Sequence, residues 1–247
     1  MELMGYQIWS GPLPEEIFRF RVCATLNPHS YQIAKTDSLF RSALAESDIL
    51  LPDGIGIVWA AAVINRKRIR KIAGSDLHMH ILDKLNDHQG SCFYLGSSET
   101  TLKLIEERIK QEFPFIRAEF HSPPYRDSFS EHENQAMIQA VNAFNPDVLF
   151  VGMTAPKQEK WVYQHQGVIN ARSICSIGAV FDFYAGTVER PGPFWIKAGL
   201  EFLPRFIKEP RRLWERNIIS TPRFLLDILK SWLKSLKRIK SIKRLSR

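Results

Sequence analysis

The sequence lacks several patterns that would by themselves assign a function. Its 247 residues contain neither GxGxxG nor GxxxxGK[ST], the glycine-rich loops of dinucleotide sites and P-loop proteins, so both kinds of site are disfavoured. It also contains no DxD pair, the usual carboxylate clamp for a metal on a nucleotide-sugar diphosphate. A diphosphate leaving a site in this chain would therefore have to be neutralised by Lys, Arg and backbone amides.

Cysteine and long apolar runs are scarce as well. Cys23, Cys92 and Cys175 lie far apart and form no CxxC motif, which favours a reducing compartment and argues against a disulfide framework or a zinc site. No apolar run reaches the roughly 18 residues needed to span a bilayer. The first residues lack the basic-then-apolar pattern of a signal peptide. We therefore expect a cytoplasmic protein.

Charge is distributed unevenly along the chain. Residues 204–247 contain 14 Lys and Arg against 3 Asp and Glu, whereas residues 1–203 contain 20 against 23. A nucleic-acid-binding protein more often carries its basic residues on the folded face. The asymmetry predicts two parts, an α/β domain over residues 1–203 and a basic, helical appendage over residues 204–247.

The end of the chain has the pattern of an amphipathic helix. An apolar stripe at i, i+3, i+4 spacing comprises Leu225, Ile228, Leu229, Trp232, Leu233, Leu236 and Ile239, and the other side carries Lys230, Lys234, Lys237 and Arg244. A basic helix that presents Trp and Leu suits an anionic membrane surface. The same pattern also fits a helix packed on the body or on a partner, with its lysines solvated. The residues alone leave both interpretations open.

Strand and helix patterns alternate through the first 203 residues. The predicted strands are Phe20–Leu26, Ile49–Leu51, Ser91–Leu95, Phe115–Phe120, Asp147–Gly152 and Ser173–Ala179. Helical spacing covers Tyr31–Leu44, Leu77–Leu85, Glu99–Glu112 and Glu131–Phe144. Such alternation predicts a mostly parallel, Rossmann-like sheet with helices on both faces.

The segment Ser47–Ala62, SDILLPDGIGIVWAAA, places one carboxylate at the end of a strand. An apolar run stops at Pro52, Asp53 follows at once, and helix-compatible residues begin after Gly56. Ligands of open α/β sheets bind at the carboxyl ends of the strands, and a carboxylate there is suited to general-base chemistry. The alternative is that Asp53 caps the following helix.

Four strand-to-helix loops should meet at that edge of the sheet. They are Thr25–Ser30, Pro52–Gly56, Gly96–Ser98 and Gly152–Glu159. They supply hydroxyls, an amide, a carboxylate, glycines that include Gly152, and Lys157. This mixture suits a phosphorylated or nucleotide ligand held at helix N-termini.

Six linked segments resemble the WecG/TagA/CpsF family of glycosyltransferases. In chain order they are TLNPHSYQIA, LLPDGIGIVWA, AGSDL, PDVLFVGMTAPKQEKW, IGAVFDFYAGTVERP and GLEFLPRFIKEPRRLWERN, and they cover roughly residues 20–225. The resemblance implies an enzyme that moves a sugar, typically of the N-acetylmannosamine type, from a UDP-sugar to a polyprenyl-diphosphate-linked saccharide. It also implies inversion, no metal, and a peripheral location at the cytoplasmic face of the bacterial inner membrane.

The resemblance also implies roles for individual residues. Asp53 of the PDG motif would be the base that deprotonates the acceptor hydroxyl. The pocket and the donor or nucleotide contacts would come from Thr25, Asn27, Lys157, Gln158 and Glu159. The appendage would meet diphosphates with Arg211, Arg212 and Arg216. Before AGSD the family often carries Arg, whereas this chain has Lys71, which keeps the charge but loses bidentate geometry.

The expected partners are therefore a UDP-sugar, a polyprenyl-diphosphate-linked saccharide and an anionic membrane surface, without a cofactor and without nucleic acid. The resemblance raises self-association as a further possibility. One alternative class is a non-catalytic membrane-surface or nucleic-acid-binding protein that acts through its basic tail. Another is a Rossmann-type oxidoreductase, which the missing glycine fingerprint disfavours.

Overall fold

A computed structural model describes residues 1–189, the separate positions 192, 194, 195, 203, 206 and 207, and residues 210–245. Within the last stretch it describes the side chains of residues 210 and 213–234. The chain begins with a two-stranded antiparallel hairpin of β1 (Glu2–Leu3) and β2 (Tyr6–Gln7), which the sequence pattern did not predict. A short 3-10 turn at Ile17–Arg19 leads into the main sheet.

Six parallel strands form that sheet, as the alternating pattern predicted. In sheet order they are β4 (Ile49–Pro52), β3 (Val22–Leu26), β8 (Ser173–Ser176), β7 (Val148–Gly152), β5 (Ser91–Gly96) and β6 (Arg117–His121). The helices that connect them are α1 (Pro28–Ala34), α2 (Ser38–Ala45), α3 (Ile55–Ile64), α4 (Gly74–Asp87), α5 (Glu99–Glu112), α6 (Glu131–Phe144), α7 (Lys157–His165) and α8 (Val180–Ala185).

Helices cover both faces of the sheet. Successive strand residues point to opposite faces, so Tyr94 packs in a buried cluster with α4, α5 and α8, while its neighbour Phe93 packs in another with α6 and α7. Leu26 and Leu50 belong to a third cluster with α1, α2 and α3. The strands are apolar on both sides because both faces are buried.

Two helix predictions need correction. The predicted helix Tyr31–Leu44 is two helices, because the chain breaks at residues 35–37 and Asp37 caps α2 by accepting a hydrogen bond from Phe40 N. The helix predicted over Leu77–Leu85 begins earlier, at Gly74, with Ala73 at the N-cap. Asp76 lies in its first turn and accepts a hydrogen bond from Ala73 N at 3.0 Å.

The strand order reverses between β5 and β7. The connection after β5 passes through α5 to β6 on one side, and the connection after β7 passes through α7 to β8 on the other. Gly96 and Gly152 are paired at the carboxyl ends of these two strands. Such a divergence opens a crevice, which is where α/β sheets bind ligands.

The C-terminal helix packs on the α/β part instead of extending away from it. It consists of α9 (Pro210–Trp214), a π-helical segment (Glu215–Ser220) and α10 (Thr221–Leu245). Phe224 and Ile228 are buried in the same cluster as Leu26 and Leu50. Asp227 accepts hydrogen bonds from Gln32 and Lys35 at 2.8 and 2.7 Å. In the described part of the chain, no helix combines the length and apolar character that a membrane crossing requires.

Candidate active site

The ends of β3 and β4 bring two of the predicted loops together. Asp53 N donates a hydrogen bond to Leu26 O at 2.9 Å, which joins the PDG turn to the TLNP turn. A Cβ built on Gly54 would lie 3.7 Å from the Pro28 ring and 3.9 Å from Asn27 Cβ. The two motifs thus form one surface at the carboxyl edge of the sheet, as the parallel topology predicted.

Asp53 lies half-buried one residue before the helix cap. The N-cap of α3 is Gly54, whose φ of +100° lies in the region that glycine tolerates without strain. Asp53 therefore does not occupy the capping position that the alternative interpretation gave it. Its position at the end of β4 is the one that the general-base hypothesis requires, and that role stays a prediction.

Asn27 is held rigidly beside it. Its Oδ1 accepts hydrogen bonds from the backbone N–H groups of His29 and Ser30, both at 3.0 Å, so Asn27 is the N-cap of α1. Because the oxygen is used in this way, the Nδ2 group is what Asn27 can offer a ligand. Thr25 is half-buried on β3, in register with Leu51.

The C-terminal segment reaches the same place. His29 Nδ1 and Ser220 Oγ are 2.9 Å apart, which joins α1 to the π-helical segment. Burial lowers the pKa of His29, the cation of Arg216 lowers it further, and Glu215 opposes both effects. Arg216 is therefore close enough to the TLNP turn to act on its histidine.

These residues define the Asp53 cluster, which comprises Thr25, Asn27, His29, Asp53 and Arg216. The side chains of Arg211 and Arg212, the other two predicted diphosphate contacts, lie outside the described residues. The link between His29 and Ser220 was not predicted, since nothing in the spacing of the sequence relates two residues so far apart.

A second group of residues surrounds Gln158 at the ends of β7 and β8. Gln158 is buried, and its Nε2 donates to Glu159 Oε1 at 2.8 Å. A Cβ built on Gly178, which follows β8, would lie 3.5 Å from Gln158 Oε1. Among the described residues Gln158 Oε1 is a buried oxygen with no hydrogen-bond partner, so it is an acceptor available to a donor group.

Two glycines keep side chains out of this region. A Cβ on Gly96 would lie 2.5 Å from Gly152 O, and a Cβ on Gly152 would lie 2.6 Å from the Phe181 ring. Both positions therefore require glycine for packing within the protein, and the predicted contact of Gly152 with a nucleotide ligand stays a prediction. Gly96, Gly152, Gln158, Gly178 and Phe181 form the Gln158 cluster. Of these, Gly178 and Phe181 were not predicted as site residues.

Glu159 faces a different direction from Gln158. It lines a small cavity with Val22, Ala24 and Ser176, on the sheet face beneath α2 and α7, and only 5% of its surface is exposed. Burial raises its pKa to about 7, although the hydrogen bond from Gln158 lowers it in part. Glu159 therefore contacts the predicted donor site through Gln158.

Lys157 is directed toward the loop after β6. Its Nζ donates to Arg126 O and lies 3.7 Å above the centre of the Phe129 ring. Burial lowers its pKa, and Asp127 and Glu133 partly offset that effect. Its predicted contact with a donor would require the ammonium group to leave these partners.

The two clusters lie side by side. The Asp53 cluster begins at the ends of β4 and β3, and β3 is paired with β8, whose end leads to Gly178. Neighbouring strands are about 4.8 Å apart, so one ligand of nucleotide size can contact both clusters. The arrangement offers a carboxylate and a guanidinium on one side and an amide with close backbone on the other. No group of three or more His, Cys, Asp and Glu with metal-binding geometry occurs within the described residues.

Comparison with known proteins shows similarity to one family of glycosyltransferases over most of the chain. A sequence profile described as the glycosyl transferase WecG/TagA/CpsF family matches residues 15–238. A relative from Bacillus subtilis (strain 168) is 30% identical over 209 residues, which are 85% of this chain and 79% of the relative. A relative from Bacillus spizizenii is 29% identical over 206 residues, 83% of this chain and 77% of the relative.

A third relative, from Staphylococcus aureus (strain MW2), is 24% identical over 207 residues, 84% of this chain and 79% of the relative. All three relatives carry the name N-acetylglucosaminyldiphosphoundecaprenol N-acetyl-beta-D-mannosaminyltransferase. The matched range contains both clusters and most of α10.

Proposed function

The chain belongs to the WecG/TagA/CpsF family of glycosyltransferases, and from that premise we propose that it moves a hexose, of the N-acetylmannosamine type or a related one, from a UDP-sugar to a polyprenyl-diphosphate-linked saccharide. The names of the relatives support this acceptor class, because each describes transfer to a sugar on diphosphoundecaprenol. The product would enter bacterial surface polysaccharide synthesis.

The observation that carries the proposal is the junction of the PDG and TLNP turns, to which the π-helical segment that contains Arg216 is joined through Ser220 and His29. Asp53 takes the proton of the acceptor hydroxyl as that oxygen attacks the anomeric carbon of the donor. The new glycosidic bond forms on the face opposite the leaving group, so the anomeric configuration inverts. The electron pair of the breaking bond goes to the β-phosphate oxygen, and UDP departs.

Arg216 has the charge to stabilise that developing negative charge. A guanidinium can bind a phosphate in bidentate fashion, which a lysine cannot do. By the family resemblance, Arg211 and Arg212 would add to this neutralisation. We propose that these cations replace a metal in the reaction.

Gln158 would contact the donor from the other side. Its Oε1, which has no hydrogen-bond partner in the part of the chain that the structure describes, can accept a hydrogen bond from a hydroxyl or an N–H group of the nucleotide-sugar. The basic C-terminal helix would hold this site at the cytoplasmic face of the membrane, where the lipid-linked acceptor is presented.

The proposal is tested by measuring UDP release from a panel of UDP-sugars with a polyprenyl-diphosphate-sugar acceptor, in the presence and absence of EDTA. We expect turnover with one donor and no loss in EDTA. Loss of turnover in EDTA that is restored by a divalent metal would contradict the metal-independent mechanism. If no donor turns over and the protein instead shifts DNA or RNA in a salt-sensitive manner, the chain acts as a binding protein through its tail.

A further inference from the structure

Helix α3 is apolar all round, but one side of it is exposed. Its sequence, IGIVWAAAVI, contains no polar side chain. Gly56, Ile57, Ala60 and Ala61 are buried against the sheet and α10, whereas Trp59 is 51% exposed. A helix that is apolar all round is normally buried on all sides or lies in lipid. The exposed flank of α3 therefore needs an explanation that the fold does not provide.

A second exposed apolar strip borders this flank. Gly56 of α3 faces Phe224 of α10, since a Cβ built there would be 3.4 Å from the Phe224 ring. At 100° per residue, the side chains of Val63 and Trp59 project about 20° and 60° away from the direction of Gly56 around the axis of α3. On α10, Asp227 binds α1, and on the side away from Asp227 the exposed residues are Leu225, Leu226, Leu229 and Leu233. The two strips thus flank the contact between the helices.

Cations border these strips at the end of α3. The loop that follows α3 contains Arg66, Lys67, Arg68 and Arg70, all exposed. Lys67 Nζ lies 3.4 Å from Ser10 Oγ, which is a weak restraint. An apolar surface with Trp and Leu at its centre and cations at its margin is complementary to an anionic bilayer. A second copy of this chain fits this surface less well, because two copies docked face to face would place like-charged side chains against one another.

We propose that the α/β domain itself docks on an anionic membrane through one surface, the docking face, made of Trp59, Val63, the exposed leucines of α10 and the cations of residues 66–70. This inference rests on the proposed function and specifies how the site meets its lipid-held acceptor. Trp59 lies in the first turns of α3, the helix that begins at Ile55 directly after the turn that contains Asp53. Docking through the flank of α3 would therefore hold the end of β4, and Asp53 with it, close to the membrane surface that presents the acceptor.

The test uses the full chain and sedimentation with vesicles of phosphatidylcholine alone or with 30% phosphatidylglycerol (about the anionic share needed for a strong surface field). The variants are W59S/V63S, which removes the apolar flank of α3, and R66Q/K67Q/R68Q, which removes three cations. The matched control is F115S/V168S. Phe115 and Val168 are 61% and 60% exposed, and they precede β6 and β8, so they lie toward the amino ends of the strands, away from the carboxyl ends that carry Asp53.

We expect the three-cation variant to bind anionic vesicles on the order of 100-fold more weakly, since each cation near the surface changes partition roughly fivefold. W59S/V63S should lose at least fivefold, and the control should bind as wild type does. Turnover should fall in the first two variants with an acceptor held in vesicles, and stay unchanged with a short-chain, water-soluble acceptor.

The proposal would be overturned if W59S/V63S bound anionic vesicles as tightly as the wild type does. It would also be overturned if the control F115S/V168S lost as much binding as W59S/V63S. If the wild type is an oligomer, W59S/V63S is a monomer and neither protein binds vesicles, this surface contacts a second copy of the chain instead of a membrane. Vesicle binding that behaves as expected without turnover on any donor would contradict the proposed function and leave the docking face standing.

Discussion

Replacing Glu159 with glutamine should make the protein more stable at neutral and alkaline pH. One oxygen of the buried carboxyl accepts from Gln158 at 2.8 Å, and Oε2 is without a hydrogen-bond partner among the described residues. Burial raises the pKa of Glu159 from its ordinary 4.5 to about 7. A group whose pKa is raised by folding contributes stability below its unfolded pKa and loses it as pH rises through the folded value.

The magnitude follows from that shift. At 1.36 kcal/mol per pKa unit, the ionised carboxyl costs the folded state about 3 kcal/mol at pH 8. Most of this cost appears between pH 5 and pH 8, where the difference in the free energy of unfolding between E159Q and wild type should grow by about 2–3 kcal/mol. Glutamine keeps an oxygen that can accept from Gln158, so the hydrogen bond is retained.

The assay is urea unfolding at pH 5, 6, 7 and 8, with E46Q as the control. Glu46 lines the same cavity but is exposed, and its Oε1 accepts from the Tyr163 hydroxyl. His78, whose pKa burial lowers to about 3, makes both proteins less stable as pH falls below 6.5, and that effect cancels in the difference. A difference between E159Q and wild type that does not change with pH would show that Glu159 does not titrate with a raised pKa in the folded protein.

Two further predictions concern the contacts of the C-terminal helix. F224A should lower the free energy of unfolding by about 3–5 kcal/mol, because it removes a fully buried ring, and urea unfolding should show that the exposed control L226A costs far less. R216Q should raise the pKa of His29 in an NMR titration, since the Arg216 cation lowers it, whereas the exposed control R223Q should leave it unchanged.

Much of the fold could be predicted because its signals are local. Buried strands such as Val148–Gly152 and capped helices such as Glu131–Phe144 are recognisable from consecutive residues. The break between α1 and α2 was missed, because the apolar spacing continues across it while Asp37 starts a new helix. Tertiary packing decided between these two signals.

The meeting of the TLNP and PDG turns could also be predicted, since strand ends of a parallel sheet share one edge. The direction in which the Lys157 side chain points could not be predicted. It depends on the Phe129 ring and the Arg126 carbonyl, which belong to a loop from another strand. The same limit applies to the C-terminal helix. Its apolar stripe from Leu225 to Ile239 was visible in the sequence, whereas the burial of Phe224 against Tyr31 and Gly56 was not.

The role of Asp53 as the catalytic base is tested by comparing D53N with wild type in both turnover and UDP binding. If Asp53 is the base, D53N should lower kcat by about 100-fold to 10,000-fold and leave the Kd for UDP within about twofold. The control D83N, an exposed aspartate on α4, should match wild type in both. D53N turning over at the wild-type rate, or losing UDP binding and turnover together, would contradict the account.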